Sequence, residues 1–311
     1  MVCDLNTGRC DLPSEQQGNS SIATSNGHNA GIELLYMTDP MCSHCWGMEP
    51  IWRKFLYVYG AFVNVRYIYG GLLESWSGFS RGGITSPADL VPHFAEVAEQ
   101  YGQPIDSALW NREHPEYDPP ESSYPASRGL HIVRLLNPSA EPRFLRLLRQ
   151  AVFIERRNTA RSEVIAACAA DAGVDRAAFF KLWKEGAGDG PFEQDLQETQ
   201  LLGVRGFPTY ILRSANNQAL VLPGTQSFLK LKQALEYILE KAPRPRPIEM
   251  QDVLNAYISG TTREFAEILG FSDAEMERVL EEEQVSRKSL VTGALWTVAT
   301  CERFQTGSRA G

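Results

Sequence analysis

Two thiols stand three residues apart in Cys42-Ser43-His44-Cys45, a spacing that puts both sulfurs on one face of a helix and within reach of a disulfide. A short apolar run, Ile32 to Met37, precedes them, and Trp46 with a helical pattern follows. A Cys-x-x-Cys between a strand and a helix is the setting of a redox pair. The free N–H groups and partial positive charge of a helix start favour a thiolate, so Cys42 is the expected nucleophile. His44, between the thiols, can donate to the Cys42 sulfur or place charge beside it, which favours the reduced form and makes the disulfide more oxidising. Ser43 is the other interior residue, and Trp46 is expected to pack while also walling the site. The competing chemistry is structural zinc. It needs two further ligands, usually a second close pair, and the chain has no second Cys-x-x-Cys.

A second pair, Cys3 and Cys10, flanks Asn6-Thr7-Gly8, where a turn would bring the thiols together. Free thiols, a second redox pair and a loose zinc site all remain open there. Cys168 sits in a small-residue helical face and is expected to be a buried structural thiol, Cys301 a stray exposed one. His93, His114 and His131 have no ligand spacing.

The 311 residues are 43% hydrophobic, enough for a large core, and the net charge of -8 leaves no electrostatic footprint for nucleic acid or an anionic membrane surface. No apolar run approaches the ~20 residues of a membrane span, and residues 1 to 30 lack a secretory leader's basic and apolar regions. The expected compartment is the cytoplasm, where structural disulfides are rare and a close thiol pair is catalytic, sensory or metal-binding. Thiol-disulfide exchange requires no cofactor.

The elements around the motif are legible from periodicity. Residues 1 to 30, rich in Ser, Asn, Gly and Gln, read as a flexible tail. Ile32 to Met37 is a strand, the motif helix runs to about Tyr59, and Phe62 to Leu72 is a second strand closed by Gly70-Gly71. Six stretches of helical spacing between Ala88 and Leu202 read as a helical insertion, about 80 to 203. Thr209 to Leu212 and Ala219 to Leu222 then pair as a hairpin, and Ser227 to Leu239 closes the domain as a helix. This order, β-α-β, helices, β-β-α, predicts an α/β thioredoxin-like sheet with an all-helical insertion, spanning 31 to 241. Residues 242 to 248, with Pro243-Arg244-Pro245-Arg246-Pro247, read as a stiff linker. Residues 249 to 311 read as a small all-helical region of four short helices, the last from Ser286 to Val298, serving partner recognition or domain stabilisation. Its Glu281-Glu282-Glu283 run is opposite to a DNA footprint.

Gly206-Phe207-Pro208-Thr209 supplies the other half of a site. Gly206 permits a turn, Pro208 can be cis, and Thr209 opens a strand. Only ~5% of X–Pro bonds in folded proteins are cis, but a loop of this kind facing a Cys-x-x-Cys is where thioredoxin-type folds place one.

With both halves in view, Thr38-Asp39-Pro40-Met41-Cys42-Ser43-His44-Cys45-Trp46-Gly47-Met48-Glu49-Pro50 resembles the DsbA-like thioredoxin-fold family, most of all its YjbH/SpxH branch, with FrnE-type proteins as cousins. Ser123-Tyr124-Pro125-Ala126 resembles the segment that opens an insertion helix in those relatives, and Gly203 to Thr209 resembles their cis-proline loop. The resemblance implies Cys42 as nucleophile, Cys45 as resolving thiol and Pro208 as the cis-proline. It implies a thiol-disulfide oxidoreductase acting on protein thiols and disulfides. For the YjbH/SpxH branch it implies instead an adapter that presents the redox regulator Spx, a transcriptional regulator, to the ClpXP protease, with the cysteine pair regulatory or vestigial. The expectation taken forward is the enzyme, and the adapter is its alternative.

Overall fold

The computed structural model describes residues 2–4, 9–11, 31–216 and 218–298. Its main sheet holds β1 (Val2–Asp4), β2 (Arg9–Asp11), β3 (Glu33–Thr38) and β4 (Asn64–Tyr69), together with β5 (Thr209–Arg213) and β6 (Ala219–Pro223). The order is β1-β2-β6-β5-β3-β4. Only β3 and β4 run parallel, the pairing that a helical crossover produces, and Tyr36 sits opposite Tyr67 on one side and Tyr210 on the other. That crossover is α1 (Ser43–Gly47) continued by α2 (Glu49–Tyr59), with Pro50 in the first turn of α2, where a missing N–H costs nothing.

Between β4 and β5 the chain is helical: α3 (Leu90–Tyr101), α4 (Tyr124–Leu136), α5 (Glu141–Ile154), α6 (Ser162–Asp171), α7 (Arg176–Lys184) and α8 (Asp189–Leu201). After β6, α9 (Phe228–Leu239) packs back on α2, with Tyr59 stacked on Phe228. The fold is therefore the expected α/β thioredoxin-like sheet with a helical insertion.

The segment beyond α9 differs from the expectation. The helices α10 (Met250–Ala256), α11 (Thr262–Leu269) and α12 (Asp273–Glu282) form, but the fourth does not. Its residues make β8 (Ser286–Ser289) and β9 (Ala294–Thr297), joined with β7 (Ser259–Thr261) in a sheet of order β7-β9-β8. Two local causes override the apparent helical spacing. Gly293 turns the chain at φ 76°, and Leu295 and Trp296, adjacent in sequence, are both buried on opposite sides of β9. The proline-rich joint is not a free spacer: Arg246 donates its N–H to Val58 O (3.0 Å) and lays its guanidinium 4.2 Å from the Tyr57 ring.

At the other end, the stretch read as a flexible tail contributes β1 and β2, which pair antiparallel and dock on β6 at Arg9 and Leu220. Residues 12 to 30, with His28, and Cys301 lie outside the described residues.

A large core runs through the sheet, α2, α4 to α7 and the C-terminal helices. A smaller one, built on Trp46, Phe94, Trp110, Phe153 and Leu295, sits beneath the cysteine motif and joins α1, α3, α5 and β9. Cys168 is buried, which pushes its thiol up to about 11, the condition of an inert structural cysteine.

Candidate functional site

The motif loop is built on one carboxylate. Asp39, fully buried at the end of β3, accepts from Met41 N–H (2.8 Å), Leu72 N–H (2.8 Å) and the Ser123 hydroxyl (2.8 Å). Three separate segments are thereby fixed to one side chain: the approach to Cys42, the loop after β4 and the start of α4. The Asp39-Pro40 and Ser123-Tyr124-Pro125-Ala126 segments thus meet at one hydrogen bond. Burial pushes the Asp39 carboxyl above its ordinary value, against the pull of those hydrogen bonds.

Cys42 caps α1, its sulfur accepting the Cys45 N–H at 3.1 Å. The two cysteines form a disulfide with Cα atoms 5.2 Å apart. Both are buried, Cys42 at 4% exposure and Cys45 at 0%. Ser43 Oγ lies 2.9 Å from His93 Nε2 on α3. His44 turns toward α3 too, its Nδ1 3.3 Å from the Tyr101 hydroxyl and its ring edge-on to His93 and Tyr101. Burial and then the neighbouring His93 lower the His44 pKa, so at neutral pH it is an uncharged ring held by α3, not a cation beside Cys42. His93, set aside in the sequence for want of ligand spacing, is brought to the motif by α3; fifty positions from Ser43, it carries no local signal of that role.

Facing the disulfide is a cavity of about 440 Å³, lined by Met41, Cys42, Trp76, Phe79, Arg81 and Phe207 among others. The Phe207–Pro208 peptide bond is cis. The Phe207 ring packs directly on Gly70, where a Cβ would stand 2.1 Å from a ring carbon, so any larger residue there must displace the Phe207 ring. Thr209 Oγ1 donates to Gly206 O (2.8 Å), and Arg81 donates to Arg205 O, tying a second loop to the proline loop. The structure thus brings Cys42, Ser43, His44 and Phe207 to one cavity wall, with Pro208 and Thr209 buried just behind.

Trp46 belongs elsewhere. It is fully buried on the far side of α1, with its Nε1–H on Pro104 O (2.9 Å), its ring stacked on Phe153 and the Arg146 guanidinium 4.5 Å from its centroid. It packs and does not wall the cavity. Arg146 in turn holds Glu264 of α11 through two contacts of 2.9 Å, and Glu264 also pairs with Arg53 of α2 at 2.8 Å. Gln103 Nε2 reaches both the Trp46 carbonyl (3.5 Å) and Glu264 Oε1 (3.3 Å). Burial alone would raise the Glu264 pKa; Arg146 and Arg53 outweigh it and hold the carboxyl below its ordinary value. Among the described residues no three His, Cys, Asp or Glu side chains are placed to hold a metal ion, and no helix is long and apolar enough to cross a membrane.

This sheet, this disulfide and this cis-proline loop define a thioredoxin-type protein. A family model described as thioredoxin matches residues 35–233, more than half of the chain, and the chain belongs to that family. Its curated relatives are adapters. It is 28% identical to the ClpXP adapter protein SpxH of Halalkalibacterium halodurans over 92% of both chains. It is 28% identical to the ClpXP adapter protein SpxH of Shouchella clausii over 92% of this chain and 91% of that one. Each of the eight curated relatives found carries the same description. Among solved structures, a Nitrosomonas europaea protein provisionally described as a disulfide isomerase shares the fold at TM-score 0.58 and 24% identity, over 68% of this chain and 98% of that one.

These findings overturn the expectation of an oxidoreductase enzyme acting on protein thiols and disulfides. Redox proteins share the fold of one part of the chain, whereas adapters share nearly its whole length, the C-terminal region included. The physical reason lies in what the motif reports: two thiols at this spacing show that a disulfide can form at one point, and nothing about what the rest of the chain binds.

Proposed function

We infer that the chain is an SpxH-like adapter that delivers a protein, of the Spx class of redox regulators, to the ClpXP protease in the cytoplasm. The observation that carries this reading is the similarity to SpxH adapters over 92% of each chain, because it extends past the thioredoxin sheet into the region locked to α2 and α5 through Glu264. An adapter works by holding a partner in a fixed place, and a C-terminal module fused to the thioredoxin body by buried ion pairs suits that task.

In this reading the cavity beside Cys42 is a partner-facing surface, and Cys42 and Cys45 are a regulatory pair, not a turnover centre. Ser43 and His44 anchor the motif helix to α3. Phe207, cis-Pro208 and Thr209 shape the loop that meets the partner, and Trp46 supports the helix from behind. Arg81 and Arg205 on the rim favour a partner segment that mixes apolar and acidic residues.

The test is a reconstituted degradation assay with ClpXP and the Spx-type regulator of the same organism. Adding the full chain should speed loss of the regulator several-fold, and Cys42→Ser/Cys45→Ser should retain most of that acceleration. An unchanged degradation rate with the intact chain would remove the adapter reading.

A further inference from the structure

The N-terminal ribbon places two cysteines in register. β1 and β2 pair antiparallel with Cys3 directly opposite Cys10, between the pairs Val2 with Asp11 and Asp4 with Arg9. Residues opposite each other in an antiparallel pair have Cα atoms roughly 4.5 to 5.5 Å apart, inside the range of about 4.4 to 6.8 Å that a disulfide spans. The connection contains Asn6-Thr7-Gly8, residues that turn a chain readily. The ribbon also has a definite place in the fold. β2 pairs with β6 at Arg9 and Leu220, so the ribbon lies along what would otherwise be the open edge of the β6-β5-β3-β4 sheet.

We propose that Cys3 and Cys10 form a second, reversible disulfide, separate from Cys42–Cys45, and that it sets whether the β6 edge is covered. Two three-residue strands are too short to hold an edge by backbone pairing alone. A covalent closure of the loop removes most of the freedom that would let them separate. The chemistry needs only a low-molecular-weight disulfide such as oxidised glutathione. One cysteine thiolate attacks it, forming a mixed disulfide and releasing one molecule of thiol. The second cysteine thiolate then displaces a second molecule of thiol, and the protons of the two protein thiols leave on the released thiols. A small dithiol reverses both steps. With the ribbon loosened, β6 presents unpaired N–H and C=O groups, the feature to which an extended segment of a partner adds as a strand. The proposal does not depend on the adapter reading, since the disulfide and the edge it covers can be measured on the isolated chain.

The experiment uses full-length Cys42→Ser/Cys45→Ser protein, in which the motif pair is absent, treated with either oxidised glutathione or dithiothreitol, thiol-blocked and digested without reduction. Oxidised samples should yield a peptide joining Cys3 to Cys10, and reduced samples should yield both residues blocked. Hydrogen exchange of residues 219 to 222 should quicken on reduction by about tenfold or more, as expected of an edge that opens locally. Cys3→Ser should show the fast exchange under both conditions. Blocked Cys3 and Cys10 after oxidation, a link from either to another cysteine, or co-purifying zinc that shields both thiols would each overturn the disulfide. A Cys3–Cys10 link without any change in exchange at residues 219 to 222 would overturn its control of the edge.

Discussion

Two buried carboxylates organise the two ends of this molecule in opposite ways. Asp39, beneath the cysteine motif, is held by uncharged donors: two backbone N–H groups and the Ser123 hydroxyl. Glu264, at the joint with the C-terminal region, is held by two guanidinium groups, Arg53 and Arg146. Neutral donors define the shape of a loop but do not neutralise a charge, and with the Arg149 guanidinium adding only the last and smallest pull, burial wins at Asp39 and its pKa rises. Two cations do neutralise it, so at Glu264 the pKa falls. Both carboxylates therefore fasten three parts of the chain together, the motif end through neutral donors and the joint through two cations.

The comparison is most easily broken at the joint. Glu264→Ala should leave Arg53 and Arg146 buried without their counter-charge and destabilise the protein by about 3–5 kcal/mol in urea unfolding. A loss below ~1 kcal/mol would show that water or another acid takes the place of Glu264. Asp39→Ala should cost less, about 2–3 kcal/mol, since it strands neutral donors only. Its effect should concentrate at the motif, with faster hydrogen exchange at Met41 and Leu72 than in α11.

Acid and base should separate the two sites further. The Glu264 pKa is depressed in the folded state, so its contribution is present above its unfolded value of about 4.3 and is lost as pH falls through the folded value. The Asp39 pKa is raised, so its contribution is present below its unfolded value of about 3.9 and is lost as pH rises through the folded one. Glu264→Gln should flatten the fall in stability on acidification, and Asp39→Asn should flatten the loss as pH rises from about 3.9 to the folded Asp39 value. Melting curves across pH 3 to 7, read by circular dichroism at about half-unit steps, check both slopes. If the two substitutions bend the profile in the same direction, the contrast fails. The smallest effect is expected at the cavity rim: Arg81→Ala should change the unfolding free energy by less than about 0.5 kcal/mol while weakening capture of an acidic partner segment in a binding assay.

What could be read from the sequence divides along the same line. The motif end announces itself locally: Cys42 and Cys45 by spacing, Pro208 by its flanking Gly206 and Thr209, and the sheet by β-branched runs bounded by turns. Asp39 stands in the quoted motif, yet its partners Leu72 and Ser123 come from other segments, so its role was invisible. The joint is non-local throughout. Glu264 lies 211 residues from Arg53 and 118 from Arg146, and no periodicity connects them. The fourth C-terminal segment was misread because Leu295 and Trp296 fit a helical stripe as well as the two faces of a strand, and only tertiary packing decides between them. Function failed for a related reason. A thiol pair states what chemistry is possible at one point, while the similarity to SpxH adapters runs over nearly the whole length of the chain.

The clasp on Glu264 also orders events at the ribosome. Synthesis runs from the N-terminus, so Arg53, Trp46 and Arg146 all emerge well before the residue that neutralises the two arginines. Until then Arg53 and Arg146 are two cations without the acid that stands between them in the finished fold. The nascent protein is thus chemically unfinished until its last quarter has left the exit tunnel, and a chain interrupted in the proline-rich joint would carry that defect on its surface, where chaperones and proteases inspect new proteins.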